Sequence, residues 1–151
     1  MAAFFISILM LQKAQAQVDV NININKQPVW GPTGNDHVDY YYLPEVDCYY
    51  DVAKSKFIYS DGRKWITAKS LPPIYQNIDL YKTYKIVVNE TKPYLNHDQH
   101  KQQFAQYKQQ HDQPIIKDSR DPKYFENKKH PEHKNWEKQQ KDEKQDGGAK
   151  E

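Results

Sequence analysis

The side chains that could do chemistry fall into four groups. His97-x-x-His100 and His130-x-x-His133 repeat imidazoles at i, i+3, with Asp98, His111, Asp112 and Glu132 close by in sequence. That spacing on a helix sets two imidazoles on one side, a start toward a zinc, copper or nickel site. A structural zinc site needs about four ligands in fixed geometry, and this stretch is polar and flexible in composition. Solvated histidines are the plainer reading, and no metal ligand is assigned. Asp36, Asp39, Glu45, Asp47, Asp51 and Asp61 offer carboxylates for a glycosidase pair, but acids at turns and strand edges are ordinary in β-domains. Neither Gly-x-Ser-x-Gly nor His-Glu-x-x-His occurs, and Cys48 with His37 lacks a third orienting group. The reading is therefore non-enzymatic, with no catalytic residue and no cofactor. The fourth group is aromatic. Tyr41, Tyr49, Tyr59 and Trp65 could stack on sugar rings or clasp an extended peptide, because such rings bury a large area and keep a polar tip. The competing reading is that they form the core of a domain poor in Leu and Ile.

These rings need a scaffold, and residues 38–72 supply one. Val38 to Leu43 predicts a strand, which Pro44 ends because it cannot donate a ladder hydrogen bond. Val46 to Val52, Phe57 to Tyr59 and Lys64 to Ala68 predict three more. Asp61-Gly62 is a hairpin signal, since glycine suits positive φ. Alternation puts Tyr40 and Tyr42 on one face and Tyr41 on the other, and it splits Tyr49 from Tyr50. Both faces of the sheet are thus aromatic. Cys48, in phase with Val46 and Tyr50, reads as a buried thiol. Tyr84 to Asn89 predicts a last strand. Pro28 to Gly34 predicts a structured turn that lets Trp30 cover one end of the core. Val18 to Asn25 alternates apolar and polar residues and predicts a terminal strand, completing its own sheet or pairing with another chain.

Composition bounds the rest. Ala2 to Leu11 is an apolar run too short to span a bilayer of roughly 30 Å, and Ala14-Gln-Ala16 places small residues at a signal-peptidase site. Export to the periplasm or cell surface is expected, with a mature start at Gln17 and no transmembrane segment in the mature chain. The formal net charge is +2, too small to argue for a nucleic-acid partner. The single cysteine rules out an internal disulfide. From His97 onward apolar residues are scarce, and a tail of that kind does not offset an ordering cost of about 1–2 kcal/mol per residue.

Tyr40, Tyr41, Tyr42, Pro44, Tyr49, Tyr50, Asp51, Tyr59, Gly62, Trp65, Ser70, Leu71 and Pro72 form a pattern that resembles a widespread group of small uncharacterised exported proteins of Gram-negative bacteria. The likeness extends through Trp30-Gly-Pro32, Asp79-Leu-Tyr81, Val87-Val-Asn-Glu90 and Lys92-Pro-Tyr94. It implies a periplasmic or surface location and a variable basic or His-rich tail, and it carries no catalytic or ligand residues. A weaker likeness of form is to the Tyr-Tyr-Asp hairpins of splicing factors that bind proline-rich peptides. The combined expectation is an all-β fold: a signal peptide at 1–16, a small twisted antiparallel meander at 17–96, and a polar tail at 97–151 that is disordered or weakly helical. The expected function is non-enzymatic binding of an envelope protein or polysaccharide through the aromatic sheet. Strand addition by the N-terminal segment is the alternative, and weak metal binding by the His-rich tail is third.

Overall fold

The computed structural model describes residues 21–147. The expected signal peptide, the proposed start at Gln17 and the first residues of the terminal strand, Val18 and Val20, lie outside the described residues. The meander forms as the aromatic alternation predicts. Strands β1 (Tyr40–Leu43), β2 (Cys48–Asp51), β3 (Lys56–Ser60), β4 (Trp65–Ala68) and β5 (Ile86–Val88) make one antiparallel sheet in the order β4-β3-β2-β1-β5. Register sets Tyr41 opposite Tyr50 and Val87, and Tyr42 opposite Tyr49 and Ile86.

The period-two alternation produces two cores on opposite faces of the sheet. Tyr41, Leu43, Cys48, Tyr50 and Phe57 belong to one, which Trp30, Leu71, Tyr75, Ile78 and Leu80 cover. Tyr42, Tyr49, Ile58 and Val88 belong to the other, beneath Trp65, Tyr94 and Phe104. Trp30 meets Tyr50 edge-on, with ring centroids 4.8 Å apart. The turn beneath Trp30 is built around Gly31. A Cβ there would lie 2.7 Å from Tyr41 Oη, so only glycine fits against that ring.

The all-β expectation is overturned. Besides the sheet the described residues form two α-helices, α1 (His97–Gln103) and α2 (His133–Gly147), and several 3₁₀ turns. The fold is mixed α and β. The polar C-terminal stretch is part of it rather than a disordered appendage. Residues 93–104 cover one sheet face. Ile116 and Tyr124 form a third small core with Ile24 and Val29. Asn127 Nδ2 donates to the carbonyls of Ile24 and Gln27, at 3.1 and 2.6 Å. Composition misjudged this stretch because many of its buried positions are polar. His100, Asn127 and His130 are buried with hydrogen-bond partners, which removes the penalty for burying them.

The terminal strand is also corrected where it is described. Ile24–Lys26 is a 3₁₀ turn, with Ile24 buried and Ile22 exposed. The Asn23 side chain explains it. Its Oδ1 accepts from Val38 N at 2.9 Å and its Nδ2 donates to Val38 O at 2.7 Å. One side-chain amide thus takes the place that a paired strand would occupy. Among the described residues no helix is long and apolar enough to cross a membrane.

Candidate functional site

The four aromatic candidates do not share a surface. Tyr41 and Tyr59 lie on one face, Tyr49 and Trp65 on the other. Tyr41 and Tyr49 are 0% exposed. Tyr41 Oη donates to Gln27 Oε1 at 3.0 Å. Tyr49 Oη lies 2.9 Å from His100 Nδ1. Burial pushes both phenols well above the usual tyrosine range. These two rings are core. Tyr59 and Trp65 are half-buried, and both sit where the sheet ends, on β3 and β4.

The geometry of that edge follows from the hairpin. Gly62 has φ +91°, a backbone region that suits glycine. Asp61 Oδ1 accepts from Arg63 N at 2.9 Å and Lys64 N at 2.8 Å, and Asp61 N donates to Lys64 O at 3.1 Å. These backbone contacts hold the Asp61 carboxyl below its usual range. The Asp61–Lys64 bond sets the phase of the ladder. Ser60 and Trp65 are then a pair that exchanges no hydrogen bonds, Tyr59 and Ile66 a bonded pair, and so on along the register. The N–H and C=O of Trp65 and Thr67 therefore point away from β3. Strand β4 is the last in the sheet, and among the described residues no other backbone bonds to it.

The opposite edge is treated differently. At the start of β5, Gln113 Nε2 donates to Lys85 O and its Oε1 accepts from Lys85 N, at 2.9 and 3.0 Å. A side-chain amide caps Lys85 as Asn23 caps Val38, leaving only the outward groups of Val87 within β5 without a partner among the described residues. Among the described residues no such cap stands beside β4. Trp65 is held from behind by His97 and Tyr94, with ring centroids 5.1 and 5.4 Å away, so its indole is fixed before any partner arrives.

The other candidate chemistry is engaged elsewhere. His100 Nε2 contacts Glu90 Oε1 at 3.2 Å. His130 contacts Ser119 O, and His133 contacts Phe125 O. His100 and His130 are 4% exposed, which corrects the expectation of solvated histidines for these two, while His111 is exposed. Among the described residues no three His, Cys, Asp or Glu side chains are grouped to hold a metal. Asp47 accepts from Tyr42 Oη and pairs with Lys101 and Lys108. Asp51 pairs with Lys54, and Asp36 with Lys123. Cys48 Sγ donates to Val46 O at 3.1 Å, and burial pushes its thiol up to about 12. That keeps it in the unreactive thiol form.

No protein-family model, curated protein or solved structure matches this chain.

The open edge was not singled out by sequence reasoning. The signal was present in Asp61-Gly62, which fixes the hairpin phase, and in Trp65-Ile-Thr-Ala68, which no later strand of matching pattern follows closely.

Proposed function

We propose that this chain is an exported, non-enzymatic binding protein that holds a polypeptide partner along the outer edge of β4. The partner's backbone pairs with the N–H and C=O groups of Trp65 and Thr67, and Trp65 and Tyr59 contact its side chains from the two faces. One observation carries the reading. Both sheet faces are covered, while β4 keeps an uncapped row of backbone donors and acceptors beside a preset indole. Such a row is a template for an added strand. The leader-like N-terminal run and the resemblance of the aromatic motif to exported proteins support a place in the cell envelope.

Affinity capture from an envelope extract tests it, comparing the wild-type chain with Thr67→Pro. Proline at Thr67 removes a donor that faces away from β3, which edge strands tolerate. The expected result is one retained protein, lost with Thr67→Pro and weakened with Trp65→Ala, with the fold intact by circular dichroism. Equal retention by folded Thr67→Pro overturns the reading.

A further inference from the structure

The chemistry of the partner is written in the charges at the two ends of β4. Arg63 and Lys64 precede the strand and Lys69 follows it, all exposed. Continuing the β3–β4 register past Phe57 and Ala68 sets Lys56 opposite Lys69, and like charges placed so repel. None of these four cations takes part in an ion pair among the described residues. Elsewhere Lys54, Lys82, Lys101, Lys108, Lys123 and Lys141 pair with carboxylates and other described lysines do not, so the clustering of four cations at the two ends of one strand is what marks this edge. The nearby carboxylates are engaged otherwise: Asp61 accepts from the turn backbone, and Asp51, opposite Lys56 on β2, pairs with Lys54.

We infer that the strand added to β4 is an acidic extended peptide, with carboxylates placed to meet Lys64 and Arg63 at one end and Lys69 and Lys56 at the other. This rests on the reading of β4 as the binding edge. Lys64 and Lys69 are five residues apart in sequence, so the matching carboxylates lie about 17 Å apart on an extended strand. Between them the peptide carries small or β-branched residues that lie beside Trp65 and Thr67.

The same charges act against the obvious alternative, a second copy of this chain. The antiparallel β4–β4 pairing centred on Ile66 joins the outward groups of Trp65 to those of Thr67 in the second copy. It also sets Arg63 opposite Lys69 of the second copy at both ends. Cations directly opposite each other disfavour that dimer.

The test uses the full chain and three synthetic peptides with a Thr-Val-Thr-Val centre: one flanked by glutamates, one flanked by lysines, and one glutamate-flanked with alternate backbone nitrogens methylated. Binding is read by titration calorimetry and by amide exchange at Trp65 and Thr67. The glutamate peptide is expected to bind about threefold to tenfold more tightly than the lysine peptide near physiological salt, as exposed charge pairs allow. The gap widens as salt is lowered, and K64E/K69E inverts the preference. Equal binding of the two unmethylated peptides overturns the acidic-partner inference and leaves the edge reading standing. If no peptide slows exchange at Trp65 or Thr67, or the methylated peptide binds as well as its parent, the edge reading itself fails. A dimer that Thr67→Pro dissolves overturns the inference in favour of a second copy.

Discussion

Tyr49 Oη lies 2.9 Å from His100 Nδ1, and the far nitrogen of the same imidazole lies 3.2 Å from Glu90 Oε1. This chain of contacts ties the middle of the sheet to α1 and then to the segment after β5. His100 is buried, so each of its nitrogens needs its partner. Tyr49→Phe leaves Nδ1 unsatisfied in the core, and a loss of about 1–3 kcal/mol is expected. Tyr49→Phe combined with His100→Leu should lose less than the two single changes added together. Urea unfolding followed by tryptophan fluorescence checks both, and strict additivity contradicts the coupling.

A chain ending at residue 96 tests whether the polar stretch beyond it belongs to the fold. Removing α1 uncovers Tyr42 and Tyr49, and removing Ile116 and Tyr124 uncovers Ile24 and Val29. The truncated chain should lose its near-ultraviolet circular dichroism and bind a hydrophobic dye. A cooperative unfolding transition at the wild-type denaturant midpoint contradicts this.

Lys85 produces a pH dependence of definite sign. It is 1% exposed, its ammonium has no hydrogen-bond partner, and it lies 5.8 Å from the Trp30 ring centroid. Burial pushes its pKa down from 10.5 to about 8. Between those values the unfolded chain binds the extra proton, so stability rises with pH. Below about pH 8 both states are protonated and the cost of the buried charge is constant. From about pH 9 the raised thiol of Cys48, and above pH 10 the raised phenols of Tyr41, Tyr42 and Tyr49, act in the opposite direction, so the rise is read between pH 8 and 9. Lys85→Met should abolish it and raise stability at pH 7, where the wild type buries an unpaired charge. Denaturant midpoints across that range decide the matter, and a wild-type curve as flat as that of Lys85→Met contradicts the assignment.

The strands were legible because their rings alternate and their ends carry breakers. Tyr40, Tyr41 and Tyr42 fall on the faces that period two assigns, and Pro44 and Gly62 sit at the boundaries. The remaining structure was hidden because polar side chains do the work of backbone and core. Asn23, Gln27, Gln113 and Asn127 make long-range hydrogen bonds to the backbone, and composition scores such residues as solvent-seeking. The apolar anchors of the C-terminal stretch, Ile115, Ile116 and Tyr124, are too sparse to show a period. Of the candidate site, the half-buried pair Tyr59 and Trp65 was visible as a residue type. That Tyr41 and Tyr49 are core follows only once the covers of both faces are in place.

The central claim is that β4 presents a free edge to a partner strand, and amide hydrogen exchange across residues 65–68 tests it most directly. In the isolated chain the account predicts alternation: fast exchange at Trp65 and Thr67, whose N–H groups face outward, and slow exchange at Ile66 and Ala68, which bond to β3. Addition of the captured partner should slow Trp65 and Thr67 and leave Ile66 and Ala68 as they were. Uniformly slow exchange in the isolated monomer, or a bound partner that leaves Trp65 and Thr67 fast, contradicts the account.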